Sequence, residues 1–380
     1  MIYRTLGRTG LKVSQLGFGA MRLPMVGEGD DARVDTAKTV AMMHRAFEAG
    51  VNYVDSAVFY CKADSQRAVG DALKGWRDKV IISTKNHYYD EDESLWWKNL
   101  EDSLRLLQVD YIDIYNQHGV SWKRYEDSLE PRTLKWFSKA RDQGLIRHIS
   151  CSFHDNNEAL MKIVDTGAFE SITLQYNLAD RQLEEGIAYA HASGMGVVVM
   201  GPVGGGLLAE SSEVFGQFVP DVKSTAELAI RFVLSNPNVT IALSGMTKMT
   251  DVVENLASAA DEVSLTDEDR ETITGRMAEL EKMAELYCTY CKYCQPCPAG
   301  VAIPQVFHNF NRGRVYGLWE AARKAYAQIG AHKGDESKQA DACTDCGECE
   351  DKCPQNIPIR TQLADAHELL AVKNDSGGET

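Results

Sequence analysis

Val80-Ile81-Ile82-Ser83, an amphipathic stretch from Leu95 to Leu107, and then Asp113-Ile114-Tyr115-Asn116 form the passage on which the fold turns. A short apolar run, a helical period and a second short apolar run read as a strand–helix–strand unit. The alternation continues in both directions. Strands are expected at Leu16–Phe18, Asn52–Asp55, Val80–Ser83, Asp113–Asn116, Ile146–Ser150, Ser171–Gln175, Gly196–Val199 and Thr240–Leu243. Helices fall between them at Val34–Ala49, Ser65–Lys74, Leu95–Leu107, Leu134–Gln143, Asn157–Thr166, Gln182–Ser193 and Thr225–Ser235. Eight such units close naturally into an α/β fold, the (β/α)8 TIM barrel. A doubly wound open sheet is the alternative, but no strand is followed by a G-x-G-x-x-G turn. Ahead of the first strand, Ile2–Leu6 and Leu11–Ser14 flank Gly7-Arg8-Thr9-Gly10, an N-terminal β-hairpin that could plug the bottom of a barrel.

The 380 residues are enough for one such barrel and a small appendage. With 40 Lys and Arg against 55 Asp and Glu, the formal charge is −15. That balance argues against a nucleic-acid partner and against docking to an anionic membrane. No apolar run reaches membrane-spanning length, and Met1-Ile2-Tyr3-Arg4-Thr5 has no apolar signal core, so a cytosolic protein is expected. After the eighth strand a helix opens at Ser264 or Thr266 as N-cap and runs to about Leu286. Composition then changes abruptly. The expected organisation is a barrel over residues 1–282, a small, mostly α-helical domain over 283–372 with a helical segment at Ile303–Ile329, and a polar, frayed tail over 373–380.

Of ten cysteines, only Cys61 and Cys151 lie in the barrel. The others form Cys288-x2-Cys291-x2-Cys294-x2-Cys297-Pro298 and Cys343-x2-Cys346-x2-Cys349-x3-Cys353-Pro354. Clustered cysteines in a chain without a secretion signal read as metal ligands. The second run has the bacterial ferredoxin spacing, in which three thiolates of one run hold a cubane and the distant Cys-Pro of the other run supplies the fourth. The pairing is then Cys288, Cys291 and Cys294 with Cys353, and Cys343, Cys346 and Cys349 with Cys297, giving two [4Fe–4S] clusters in a ferredoxin-like domain. Structural zinc held by four thiolates is the competing reading, but zinc takes two separated C-x2-C knuckles.

Active sites of such barrels lie at the C-terminal ends of the strands. Asp55 ends the second strand, with Tyr60 five residues on. Lys85 lies just past the third, and His118 just past the fourth. Singly, each has a bland reading as cap, packing residue, solvated lysine or structural histidine. Together they make a proton-delivery set. A lysine ammonium lowers a neighbouring phenol's pKa, Asp55 holds the lysine charged, and His118 orients a carbonyl oxygen. Tyr60 then donates a proton as hydride reaches carbon.

These residues carry a resemblance. Tyr3-Arg4-Thr5-Leu6-Gly7-Arg8-Thr9-Gly10-Leu11-Lys12-Val13-Ser14, Val54-Asp55-Ser56-Ala57 with Tyr60, Ser83-Thr84-Lys85 and Gln117-His118-Gly119 resemble the N-terminal hairpin and the Asp, Tyr, Lys, His tetrad of the aldo-keto reductases, over residues 1 to about 275. The cysteine-rich end resembles the ferredoxin-like extension of one branch of that family, which shares the short spacing at Cys297. The resemblance implies an NADPH site. Ser152 and Gln175 match the nicotinamide contacts. Gly201, Pro202, Gly204 and Gly206 match the loop over the pyrophosphate. Gly245, Lys248, Glu254 and Asn255 match the adenosine end. Three positions depart from the family pattern: Phe153 replaces an Asn, Met200-Gly201 stands where an aromatic ring commonly stacks, and the usual basic pair is reduced to Lys248. NADPH is implied, with NADH as the alternative.

His87, Tyr88, Tyr89, Trp96, Trp97, Trp122 and Tyr125 crowd the loops after strands three and four. They read either as a wall for a bulky or aromatic substrate or as packing. The leading expectation is a reductase of an aldehyde or ketone using NAD(P)H. A second is an electron-transfer reductase whose clusters exchange single electrons with an external partner, which calls for a flavin between hydride and one-electron chemistry. A third is a redox or oxygen sensor.

Overall fold

The computed structural model describes residues 1–220, 222–260, 265–285, 288, 290–332, 334–354 and 356–371. Their contacts divide into two compact units, Met1–Gly205 with Ala229–Thr266, and Gly206–Leu228 with the residues from Asp267 onward.

The first unit contains eight parallel strands: β1 (Leu16–Gly19), β2 (Tyr53–Asp55), β3 (Ile81–Asn86), β4 (Ile112–Val120), β5 (Ile146–Phe153), β6 (Ser171–Gln175), β7 (Gly196–Met200) and β8 (Ile241–Gly245). They close in sequence order into a barrel, β8 pairing with β1 and β5 with β6. All eight expected strands are present, and the barrel stands in place of the open-sheet alternative. Several run further toward their C-termini than the apolar pattern indicated. The extensions are polar: Thr84, Lys85 and Asn86 on β3, and Gln117 and His118 on β4. Register sets Asp55 beside Ser83 and Lys85 beside Asn116, so the strand ends finish at one rim.

Two short strands, Tyr3–Thr5 and Lys12–Ser14, pair antiparallel as the expected hairpin. Leu6 and Val13 are fully buried against Tyr53, Ile114, Val198 and Ile241, which places the hairpin as an apolar plug in the barrel. Close approach explains Gly7. A Cβ there, at φ +47°, would lie 2.1 Å from the Gly196 nitrogen.

The helices match their expected places, with ends shifted by a residue or two. Two longer helical segments have no counterpart among the expected ones, the π-helix Tyr125–Thr133 and the α-helix Met249–Ser258. The N-cap of Met249–Ser258 is Lys248, which gives no sequence signal for a start. The capping carboxylate is Asp251, reaching back to the amides of Thr247 and Lys248 at 2.9 and 3.2 Å. The helix expected from Ser264 or Thr266 follows Met249–Ser258 and begins at Asp267, directly after Thr266; Ser264 lies outside the described residues.

In the second unit the expected run Ile303–Ile329 is two helices, Ile303–Arg314 and Trp319–Ala327. The break falls at Gly317, whose φ of +69° ends the first helix. Gly313 lets the chain fold back, since a Cβ there would stand 2.2 Å from the Trp319 ring. A third helix, Ile359–Leu370, packs Leu363 and Leu370 with Val306, Phe307, Phe310 and Tyr326 into a separate apolar core. The expected tail, 373–380, lies outside the described residues. Among the described residues no helix is long and apolar enough to cross a membrane.

Candidate active site and cysteine cavities

The C-terminal ends of β2, β3 and β4 bring Asp55, Lys85 and His118 together with Tyr60. Asp55 and Lys85 are almost wholly buried. Lys85 Nζ donates to Asp55 Oδ2 and, at 2.8 Å, to the Ser56 carbonyl. Asp55 Oδ1 accepts from the Ser83 hydroxyl at 2.8 Å, and Ser83 accepts from Asn116 Nδ2 at 2.9 Å. The carboxylate is therefore fixed by two strands, as a buried ion pair requires. Burial works against the charge of Lys85, but Asp55 and Tyr60 facing it outweigh that and raise its pKa.

Tyr60 is half-buried. The Lys85 ammonium stands 5.0 Å from the centre of its ring. Lys85 does pull the phenol's pKa down, as the sequence implied. Burial is the larger effect, Asp55 adds to it, and the net direction is upward. The hydroxyl is thus firmly protonated, the state a proton donor needs.

His118 meets Tyr60 edge-on, ring centres 5.9 Å apart, and stacks on exposed Phe59 at 4.9 Å with 3° between planes. Burial, then Lys85, His154 and His87, push its pKa down to about 3, so the imidazole is neutral. Its Nδ1 is buried without a hydrogen-bond partner.

Tyr60 opens an unusual turn. Cys61, Lys62 and Ala63 all have left-handed φ values, +50°, +57° and +64°. Such a run of non-glycine residues is strained. Cys61 points its thiol at the Ala20 and Met21 carbonyls, a packing role.

The residues matched to a dinucleotide lie on the later strands. Ser152 is buried at the end of β5, and its Oγ accepts the Gly119 amide at 2.9 Å. Gln175 ends β6 with its amide under Gly201. A Cβ on Gly201, at φ +64°, would fall 2.6 Å from Gln175 Oε1. Asn177 holds the Gly201 carbonyl at 3.1 Å. Pro202 follows, and Gly204 and Gly205 have φ +58° and +66°, a backbone that presents its amides closely. Gly206, at φ +100°, begins the second unit. Gly245 is exposed at the end of β8, Asn255 donates to Ser244 at 2.8 Å, and Glu254 is exposed. Lys248 is exposed, its amine 3.8 Å from Asp251. Sequence reasoning missed Arg22, whose guanidinium reaches from the loop after β1 to the Gly205 carbonyl. A lone arginine in a loop carries no pattern that would have revealed it.

The aromatic loops divide. Trp96 is fully buried against Tyr115, Trp136 and Phe137, and Trp122 stacks on Tyr125. These are packing. His87 lies edge-on to Phe59, and the Tyr89 hydroxyl donates to the His118 carbonyl at 2.7 Å, so these two border the site.

In the second unit, Cys288, Cys291, Cys294 and Cys353 line one cavity. Cys297, Cys343, Cys346 and Cys349 line another, which Cys294 also lines. A structural zinc site draws its four sulfurs to about 2.3 Å from one ion. Among the described residues no three potential ligands converge on such a point. Thiols spread around a cavity suit a cubane, which offers separate irons. Burial and neighbouring thiols raise Cys294 to about 11 in the free-thiol state.

Residues 15–276 match the model of the Aldo/keto reductase family, and residues 287–357 match a 4Fe-4S dicluster domain. The chain is 28% identical over 301 residues to an uncharacterised oxidoreductase of Bacillus subtilis, covering 70% of this chain and 93% of that one. It is 29% identical over 310 residues to the L-galactose dehydrogenase of Arabidopsis thaliana, covering 74% and 95%. Among solved structures, the holo form of an aldo-keto reductase from Bacillus halodurans matches with TM-score 0.62 and 30% identity, over 73% of this chain and 96% of that one.

Proposed function

The chain belongs to the Aldo/keto reductase family, and from that premise we propose that it reduces an aldehyde or ketone with NAD(P)H, Tyr60 serving as proton donor. The observation that carries the reading is the buried Asp55–Lys85 pair set under a protonated Tyr60. When bound, the nicotinamide supplies hydride to the carbonyl carbon. Tyr60 gives its hydroxyl proton to the carbonyl oxygen as negative charge develops there. The phenolate left behind faces the Lys85 ammonium, which Asp55 and the Ser56 carbonyl keep charged and aimed. His118 is neutral, and a buried Nδ1 without a partner is better left as a bare lone pair, so Nε2 carries the proton and donates to the same oxygen.

Ser152 and Gln175 suit the carboxamide of the nicotinamide. Gly201, Pro202 and Gly204, with Arg22, suit the pyrophosphate, where backbone amides and one guanidinium answer its charge. Gly245, Lys248, Glu254 and Asn255 suit the adenosine end. The eight clustered cysteines would hold two [4Fe–4S] clusters in the pairing their cavities support.

A second reading rests on Cys291 and Cys346. Both are exposed, one in each cavity, so either cluster would have an edge open to a one-electron partner. An anaerobic absorption spectrum before and after NADPH tests both readings. Cluster absorbance that holds steady, with NADPH oxidised only when a carbonyl is added, supports the reductase. Bleaching by NADPH alone, or a flavin band, supports electron transfer.

A further inference from the structure

Arg124 brings a permanent positive charge to the mouth above Tyr60 and His118 in an acidic protein. His87, His154 and Arg124 are all exposed around it. Arg124 is held in place from two sides. Its Nη1 donates to the Gly119 carbonyl at 2.7 Å, and its guanidinium lies 5.1 Å from the centre of the Tyr89 ring. The Tyr89 hydroxyl in turn bonds the His118 carbonyl, so the arginine is tied to the residue that lines the reaction site. Two nearby carboxylates already have partners. Asp155 accepts the amides of Trp122 and Asn156 at 3.1 and 2.9 Å, and Asp127 pairs with Lys123 at 3.2 Å. Among the described residues Arg124 has no ion pair, and burial holds His87 and His154 below the usual imidazole pKa, so they add no lasting charge beside it.

We propose that the substrate is an oxo acid, a carbonyl compound carrying a carboxylate, and that Arg124 receives the carboxylate while the carbonyl lies at Tyr60 and His118. A guanidinium offers five N–H donors in a planar fork, and one bond to Gly119 leaves an edge that matches a carboxylate. The Gly119 bond and the neighbouring Tyr89 ring restrain that fork before a ligand arrives, so less freedom is lost on binding. Arg124 supplies the local positive charge that an anion needs on a chain whose net charge is −15. The proposal rests on the carbonyl-reductase reading and narrows it.

The test compares 4-carboxybenzaldehyde with methyl 4-formylbenzoate, which share the reacting carbonyl and differ in charge. Cluster-loaded protein and NADPH are used anaerobically. The acid is expected to exceed the ester in kcat/KM by roughly 10–100-fold, the usual worth of a charge-assisted hydrogen bond. Arg124→Met should bring the ratio near one through KM, and Arg124→Lys should restore part of it. Calorimetry with benzoate and benzamide gives a readout free of chemistry, with benzoate binding expected in the native protein and lost in Arg124→Met. An ester equal to the acid, or a ratio unchanged in Arg124→Met, overturns the proposal. If neither carbonyl is reduced, the reductase reading falls, and benzoate binding that persists in Arg124→Met then overturns the anion site as well.

Discussion

The Lys85 ammonium stands 5.0 Å from the centre of the Tyr60 ring while two of its bonds are committed to Asp55 and the Ser56 carbonyl. The lysine is thus held in place before any substrate arrives, and its charge waits for the phenolate. Tyr60→Phe keeps the ring and removes the proton. Carbonyl reduction is expected to fall by about 10²–10⁴-fold, the range for a positioned general acid, with NADPH affinity near the native value by fluorescence titration. Undiminished turnover would remove Tyr60 from its assigned role.

His118 makes stability sensitive to mild acid. Its folded pKa is lowered to about 3, chiefly by burial, from an ordinary 6.5. Between those values the unfolded chain binds a proton that the native protein does not, so this contribution falls as pH drops below about 6.5. His118→Asn removes it. The stability difference between native protein and variant should shrink or reverse from pH 7.5 to pH 5 in denaturant titrations. Parallel pH profiles would show that His118 titrates normally.

Ala63 sits in a left-handed turn that glycine would adopt more readily. Its φ is +64°, it is exposed, and the two residues before it are also left-handed. Ala63→Gly relieves part of a cost of about 1–2 kcal/mol while loosening the unfolded chain. A net gain of about 0.5–1 kcal/mol is expected by chemical denaturation. A loss of stability would mean that the turn is not strained at this position.

How far the sequence went depends on which residues carried the pattern. Apolar runs such as Val80–Ile82 and Val197–Val199 revealed the barrel strands, because burial on both faces leaves little choice of residue. The strand ends were set too early where the ladder runs on into Lys85, Asn86, Gln117 and Ser152, which are buried polar residues at the rim. The Asp55, Tyr60, Lys85 and His118 set was readable because barrel geometry sends all strand ends to one face. The helix Met249–Ser258 escaped because Asp251 caps it from inside. Arg22 and Arg124 escaped because only the folded chain brings them to Gly205 and Gly119. The aromatic loops looked uniform in sequence, yet Trp96 is core and Tyr89 borders the site.

Lys248 and Asp251 bear on cofactor choice. Asp251 occupies the helix N-terminus that would otherwise answer a phosphate, and it stands 3.8 Å from the Lys248 amine. Lys248→Ala should raise KM for NADPH about 3–10-fold, the loss of one exposed charge contact, and leave KM for NADH nearly unchanged. Asp251→Asn should shift preference toward NADPH. If both variants treat the two cofactors alike, the adenosine end lies elsewhere.

The two cavities predict which cysteines fail together. Cys353 lines the cavity of Cys288, Cys291 and Cys294, although 56 residues separate it from Cys297, the fourth cysteine of that run (353 − 297). Cys297 lines the cavity of Cys343, Cys346 and Cys349. Cys288→Ala and Cys353→Ala should therefore remove the same low-temperature EPR signal from dithionite-reduced protein. Cys343→Ala and Cys297→Ala should remove the other. Iron should fall from about eight to about four per chain in each case. Grouping by run, with Cys297→Ala resembling Cys288→Ala, would mean that each run closes its own cluster. Cys294 borders both cavities, so Cys294→Ala is expected to lose its own cluster and perturb the signal of the second, a broadening that Cys291→Ala should not share.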